Sequence, residues 1–116
     1  MPEAFHNADD DKATKLYGLI GYPLTHSFSK KYFEEKFERE GLTNCRFENF
    51  AVKSIYELKD ILQNYQAVLK GMAVTIPYKQ LVLRHLNSFT QIPAEIRACN
   101  CIKIVDGKLI GFNTDW

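Results

Sequence analysis

The sequence has no run approaching the about 18–20 continuous apolar residues that a membrane-spanning helix needs. It also lacks a block of one charge: Lys+Arg number 15 against 14 Asp+Glu, for a formal net charge of +1. Nucleic-acid binders need clustered cations to displace phosphate counterions, so that class is set aside. Cysteine is scarce, and Cys45, Cys99 and Cys101 form no disulfide framework, which fits a reducing cytoplasm. Cys99 and Cys101 make a C-x-C with no second pair, so no metal site is expected; small buried hydrophobes are the simpler reading. Residues 1–14 hold no apolar core of a secretory signal and read as a polar, mobile leader. Nor does any G-x-G-x-x-G follow an apolar run, so the dinucleotide fingerprint is missing and no cofactor is expected on this chain alone.

What is present fits one globular domain. At 116 residues, 46% hydrophobic and 25% charged, the chain is long enough to bury a core of its own. "KLYGLIG" (Lys15 to Gly21) is a short apolar run closed by glycine and predicts a buried strand. From Lys30 to Glu40 the pattern is helical: Phe33 and Phe37 share a face, Glu35 sits four before Arg39, and Gly41 suits the position after the C-cap. "RFENFAV" (Arg46 to Val52) predicts a second strand. Ser54 with Glu57 forms a capping box, followed by a stripe of Ile55, Leu58, Ile61, Leu62 and Tyr65.

"AVLKGMAVTI" holds a third strand, starting near Leu69. After Pro77 a helix is expected, since proline suits a first turn, with Leu81, Leu83 and Leu86 lining it as far as Asn87. "SFTQIPAEIRA" reads as a loop with a short helix after Pro93. In "NCIKIVDGKLIGFN", Asp106-Gly107 sits between alternating runs, the chemistry of a two-residue type I′ hairpin. Alternating strands and helices imply an α/β fold: an open, twisted, mainly parallel but mixed sheet, helices on both faces, and a closing hairpin.

In such sheets ligands sit beyond the carboxyl ends of the strands. Ser27 and Ser29 follow strand one, Thr75 and Lys79 follow strand three, and Asn113, Thr114 and Asp115 follow the last strand. Hydroxyls, an amide, one ammonium and one carboxylate suit a small, oxygen-rich anionic ligand. Each also has a plainer role open to it. The serines could cap the following helix, Thr75 could reflect β-propensity, and Asn113 to Asp115 could cap a further helix. His26 could be a base or bond backbone. Lys79 could be a solvated side chain, although the helix dipole disfavours a cation in a first turn.

In order, "GYPLTHSFS", "VTIPYK", "ACN" and "GFNTD" resemble the shikimate dehydrogenase family, whose usual phrases run approximately G-x-P-x-x-H-S-x-S-P, N-V-T-[IV]-P-x-K, A-x-N-T and G-x-N-T-D. The resemblance covers Lys15 to Trp116. It implies that 15–116 is the N-terminal, substrate-binding domain of an enzyme interconverting 3-dehydroshikimate and shikimate with NADPH. By the same resemblance Ser27 and Ser29 hold the substrate carboxylate, Thr75 and Asn100 contact its hydroxyls, and Lys79 with Asp115 is the catalytic pair. NADP(H) would belong to a nicotinamide-binding Rossmann domain absent from this chain. Three positions depart from the pattern: Ala73 replaces asparagine, Lys30 follows Ser29 in place of proline, and Cys101 replaces threonine. These put substrate choice, shikimate against quinate, in question more than fold. A stand-alone binding module without catalysis, and an interaction domain that self-associates, are the readings set against the enzyme.

Overall fold

A computed structural model of the chain describes residues 13–25 and 28–114. The first strand, β1 (Lys15–Gly21), lies second from one edge of a six-stranded sheet, in the order β2 (Cys45–Ala51), β1, β3 (Leu69–Val74), β5 (Cys101–Val105), β6 (Lys108–Phe112), β4 (Ser88–Gln91). It pairs in parallel with β2 and with β3. Between β1 and β2 runs α1 (Ser29–Arg39). Its end is a Schellman motif: Gly41 takes φ +72, Leu42 N–H bonds Phe37 C=O at 2.8 Å, and Gly41 N–H bonds Glu38 C=O at 3.1 Å. The i,i+4 ion pairs on α1 are Lys30–Glu34 and Lys36–Glu40 rather than Glu35–Arg39.

The Ser54 capping box is complete, with Glu57 Oε2 accepting from the Ser54 N–H at 3.2 Å. It opens a 3₁₀ turn (Ile55–Glu57) that runs into α2 (Leu58–Asn64). The hairpin also forms as expected. Strands β5 (Cys101–Val105) and β6 (Lys108–Phe112) pair antiparallel across Asp106 at φ 51 and Gly107 at φ 77, the two positive values a type I′ turn requires. β5 lies antiparallel against β3, which makes the sheet mixed.

The two faces are covered unequally. On one, Leu58 and Ile61 of α2 pack into a single buried cluster with Ile20, Phe50, Met72, Val74 and Ile102. On the other, α1 covers only β1 and β2: Phe33 stacks on Phe47 with centroids 4.9 Å apart, and Phe37 meets Tyr17 at 6.1 Å.

The stretch after β3 departs from expectation. No helix follows Pro77; turns lead into a short 3₁₀ segment at Leu81–His85. Of the expected lining, Leu83 and Leu86 do pack, partly buried, against the core beside fully buried Val82, but Leu81 is 48% exposed and the backbone here is 3₁₀ rather than α. After Pro93 there is only a turn, closed by Ile96 N–H on Pro93 C=O at 2.9 Å. Within the expected loop lies a strand, β4 (Ser88–Gln91), parallel to β6 at the sheet edge. It shows no burial alternation, so periodicity gave no sign of it.

Candidate functional site

At the carboxyl end of the parallel strands the backbone crossings are unusually dense. Thr75 N–H bonds Ile20 C=O (3.0 Å), Tyr22 N–H bonds Ile76 C=O (3.0 Å), and Val52 N–H bonds Gly21 C=O (3.1 Å). Gly21 is what lets these segments meet: a Cβ there would lie 2.4 Å from Thr75 Cγ2 and 3.0 Å from Ile76 O. The peptide bonds before Pro23 and Pro77 are both cis.

Tyr78 locks the turn from beneath. It is only 3% exposed, its hydroxyl donates to the Val52 carbonyl, and its N–H bonds Thr75 C=O at 3.0 Å. Burial, with Glu57 nearby, pushes its hydroxyl pKa up. Sequence reasoning assigned this tyrosine nothing; a large amphipathic side chain between a proline and a polar residue was the available signal. Lys79 follows, half-buried, with its carbonyl accepting from Cys99 N–H at 2.7 Å. That bond carries the "VTIPYK" turn to "ACN".

Asn100 then joins "ACN" to the end of β6. Its Nδ2 donates to Thr114 Oγ1 at 2.9 Å and its Oδ1 accepts from Thr114 N–H at 3.1 Å. Asn113, only 7% exposed, donates from Nδ2 to Ala98 C=O at 2.9 Å. Two amides therefore clamp the residues leading to Asp115.

Ser29 and Thr75 line one cleft of ≈ 370 Å³ with Leu19, Pro23, Leu24, Thr25 and Phe28. Ser29 is the first helical residue of α1 rather than its cap, which is Phe28 and makes no side-chain capping bond. Ser27, His26 and Asp115 lie outside the described residues. Of the site candidates, then, Ser29 and Thr75 share a cleft wall. Lys79 and Asn100 stand on adjoining turns at the same sheet edge, Lys79 through Cys99 and Asn100 through the Val74 N–H (2.9 Å).

Two of the departures from the family phrases are one structural event. Ala73 and Cys101 are registered partners on β3 and β5. Both line an apolar groove of ≈ 450 Å³ beside α1, with Tyr17, Phe33, Phe37 and Gly71. A small residue opposite a thiol keeps that floor apolar. Cys99 is buried in the core of the other face, so the C-x-C thiols point apart; burial raises the pKa of both. Among the described residues no cluster of His, Cys, Asp and Glu could hold a metal ion, and no helix is long and apolar enough to cross a membrane.

A small cleft lined by hydroxyl residues, with an amide and a lysine on turns beyond the same strand ends, suits a domain that binds a small polar molecule. Comparison with known proteins makes the class specific. The family model "Shikimate dehydrogenase substrate binding domain" matches residues 19–102. The chain belongs to this family. It is 36% identical over 104 residues to a shikimate dehydrogenase (NADP(+)) of Aquifex aeolicus, covering 89% of this chain and 38% of that one. The structure of a Thermus thermophilus shikimate 5-dehydrogenase in complex with shikimate matches with TM-score 0.76 at 28% identity, over 88% of this chain and 39% of that one. A ligand-free 5-ketofructose reductase of a Gluconobacter species matches as well, with TM-score 0.77 at 31% identity, over 88% and 36%. The chain thus spans well under half the length of these relatives.

Proposed function

We propose that this chain is the substrate-binding part of a shikimate dehydrogenase that interconverts 3-dehydroshikimate and shikimate in the cytoplasm. The convergence of Ser29, Thr75, Asn100 and the Lys79 turn on one sheet edge carries the reading. In it, Ser27 and Ser29 hold the carboxylate, while Thr75 and Asn100 meet ring hydroxyls. NADP(H), held by a Rossmann domain beyond this chain, supplies the hydride.

Ketone reduction builds negative charge on oxygen. The Lys79 ammonium stabilises that charge and delivers a proton, and in the reverse direction its neutral amine accepts one. Asp115 orients the lysine. Support comes from the Tyr78 hydroxyl bond that fixes the turn before Lys79 and from the Asn100–Thr114 pair that holds the residue preceding Asp115. The uncovered apolar groove is the surface through which isolated copies would self-associate.

Titration of the 116-residue chain with shikimate is expected to show saturable binding that Lys79→Ala weakens about tenfold. The same protein is expected to show no NADPH-dependent reduction of 3-dehydroshikimate. Equal absence of binding in both proteins at millimolar ligand would overturn the reading.

A further inference from the structure

Lys30 occupies the first turn of α1, where the helix dipole disfavours a cation, and no acidic residue in that turn offsets it. Its side chain, though 43% exposed, is bonded at its tip. Nζ reaches the edge strand β2, donating to Phe47 C=O at 3.2 Å and to Glu48 Oε1 at 3.0 Å. One turn further, Glu34 Oε2 accepts from Phe47 N–H at 3.3 Å. β2 has a neighbour only on its β1 side, so Phe47 turns both its peptide N–H and its C=O outward. α1 satisfies both, and Phe33 stacks on the Phe47 ring. Three consecutive contact positions of one helix therefore grip one residue of the edge strand.

We propose that Lys30 is a positioning residue for Ser29, fixing the first turn of α1 against β2 so that the Ser29 hydroxyl is held toward the cleft. The proposal rests on the reading of Ser29 as a carboxylate ligand. The adjoining residue is the start of α1 and lines the cleft with Thr75. Lys30 is tied to the sheet, so its loss frees the helix start while leaving the Phe33–Phe47 stack in place. The same grip blocks strand addition at Phe47, whose outward groups are already bonded.

The test is a double-mutant cycle on shikimate affinity, using Ser29→Ala, Lys30→Ala, the double variant and Lys30→Arg, with methyl shikimate as the uncharged comparison ligand. Lys30→Ala is expected to weaken shikimate about three- to fivefold. Methyl shikimate binding should not change, the effect should vanish in the Ser29→Ala background, and Lys30→Arg should restore affinity. Amide exchange at Phe47 should quicken in Lys30→Ala, which reads the grip without any ligand. If Ser29→Ala leaves shikimate affinity unchanged, the carboxylate reading fails. If Ser29→Ala weakens binding while Lys30→Ala does not, or the two losses simply add, the positioning role fails alone.

Discussion

Two of the hollows in the described structure differ in their chemical equipment, and the larger of this pair is the less equipped. The groove beside α1 measures ≈ 450 Å³ against ≈ 370 Å³ for the cleft at the strand ends. The groove floor is Tyr17, Gly71, Ala73 and Cys101, with Lys70 and Lys103 among its lining residues. The cleft instead gathers Ser29 and Thr75, with Asn100 and Lys79 on the turns next to it. Volume measures uncovered apolar sheet; a site for a polar ligand needs convergent donors and acceptors held rigidly. In this fold that rigidity comes from crossings at one sheet edge, where loops that are distant in sequence hydrogen-bond to each other.

The comparison breaks most severely at Gly21. Gly21→Val places a branched side chain against Thr75 Cγ2 and Ile76 O, and is expected to cost about 2–3 kcal/mol in urea unfolding and to abolish shikimate binding. Phe37→Ala strips the groove wall instead. It is expected to cost about 2 kcal/mol, the ring being only half-buried, yet to leave the affinity of the folded protein for shikimate unchanged. If Phe37→Ala weakens shikimate as much as Lys79→Ala does, the two hollows are not independent.

Tyr78→Phe sharpens the contrast further. Removing the hydroxyl leaves the Val52 carbonyl without that donor and is expected to cost about 1–2 kcal/mol, with weaker binding because the Lys79 turn loosens. The smallest effect is alkaline. Burial raises the Tyr78 pKa above 10.0 and the Cys99 pKa above 9.0, so the unfolded chain releases these protons first. Stability is therefore full below those ordinary values and falls as pH rises past them. Urea midpoints between about pH 8 and pH 10.5 should fall, and more gently in Tyr78→Phe.

How far the sequence could be read follows from what holds each part. β1, β2, β3 and α2 bury rows of side chains and α1 half-buries one, and rows leave a period: Phe33 with Phe37, Leu58 with Ile61. The turn signals were equally local, as Gly41 and Asp106-Gly107 show by their positive φ. Residues 77–98 are held by scattered contacts, namely Tyr78, Val82, Ile92, the partly buried Leu83 and Leu86, and the pairing of β4 with β6, and such contacts leave no clear period. The helices expected there came from proline rules that describe what a chain tolerates, not what packs against it. Among the site candidates, residue type and strand-end position pointed to Ser29, Thr75 and Lys79, whereas Asn100 came only from the family phrase. The bonds joining them, Lys79 carbonyl to Cys99 and Asn100 to Thr114, depend on tertiary register and had no local sign.

Amide chemical-shift mapping of the ¹⁵N-labelled chain during shikimate titration tests the account most directly. It predicts saturating shifts at Ser29, Thr75, Lys79, Asn100 and Thr114, with Tyr17, Gly71 and Lys103 in the groove unmoved. Saturating shifts confined to the groove, with the strand-end residues silent, would contradict it.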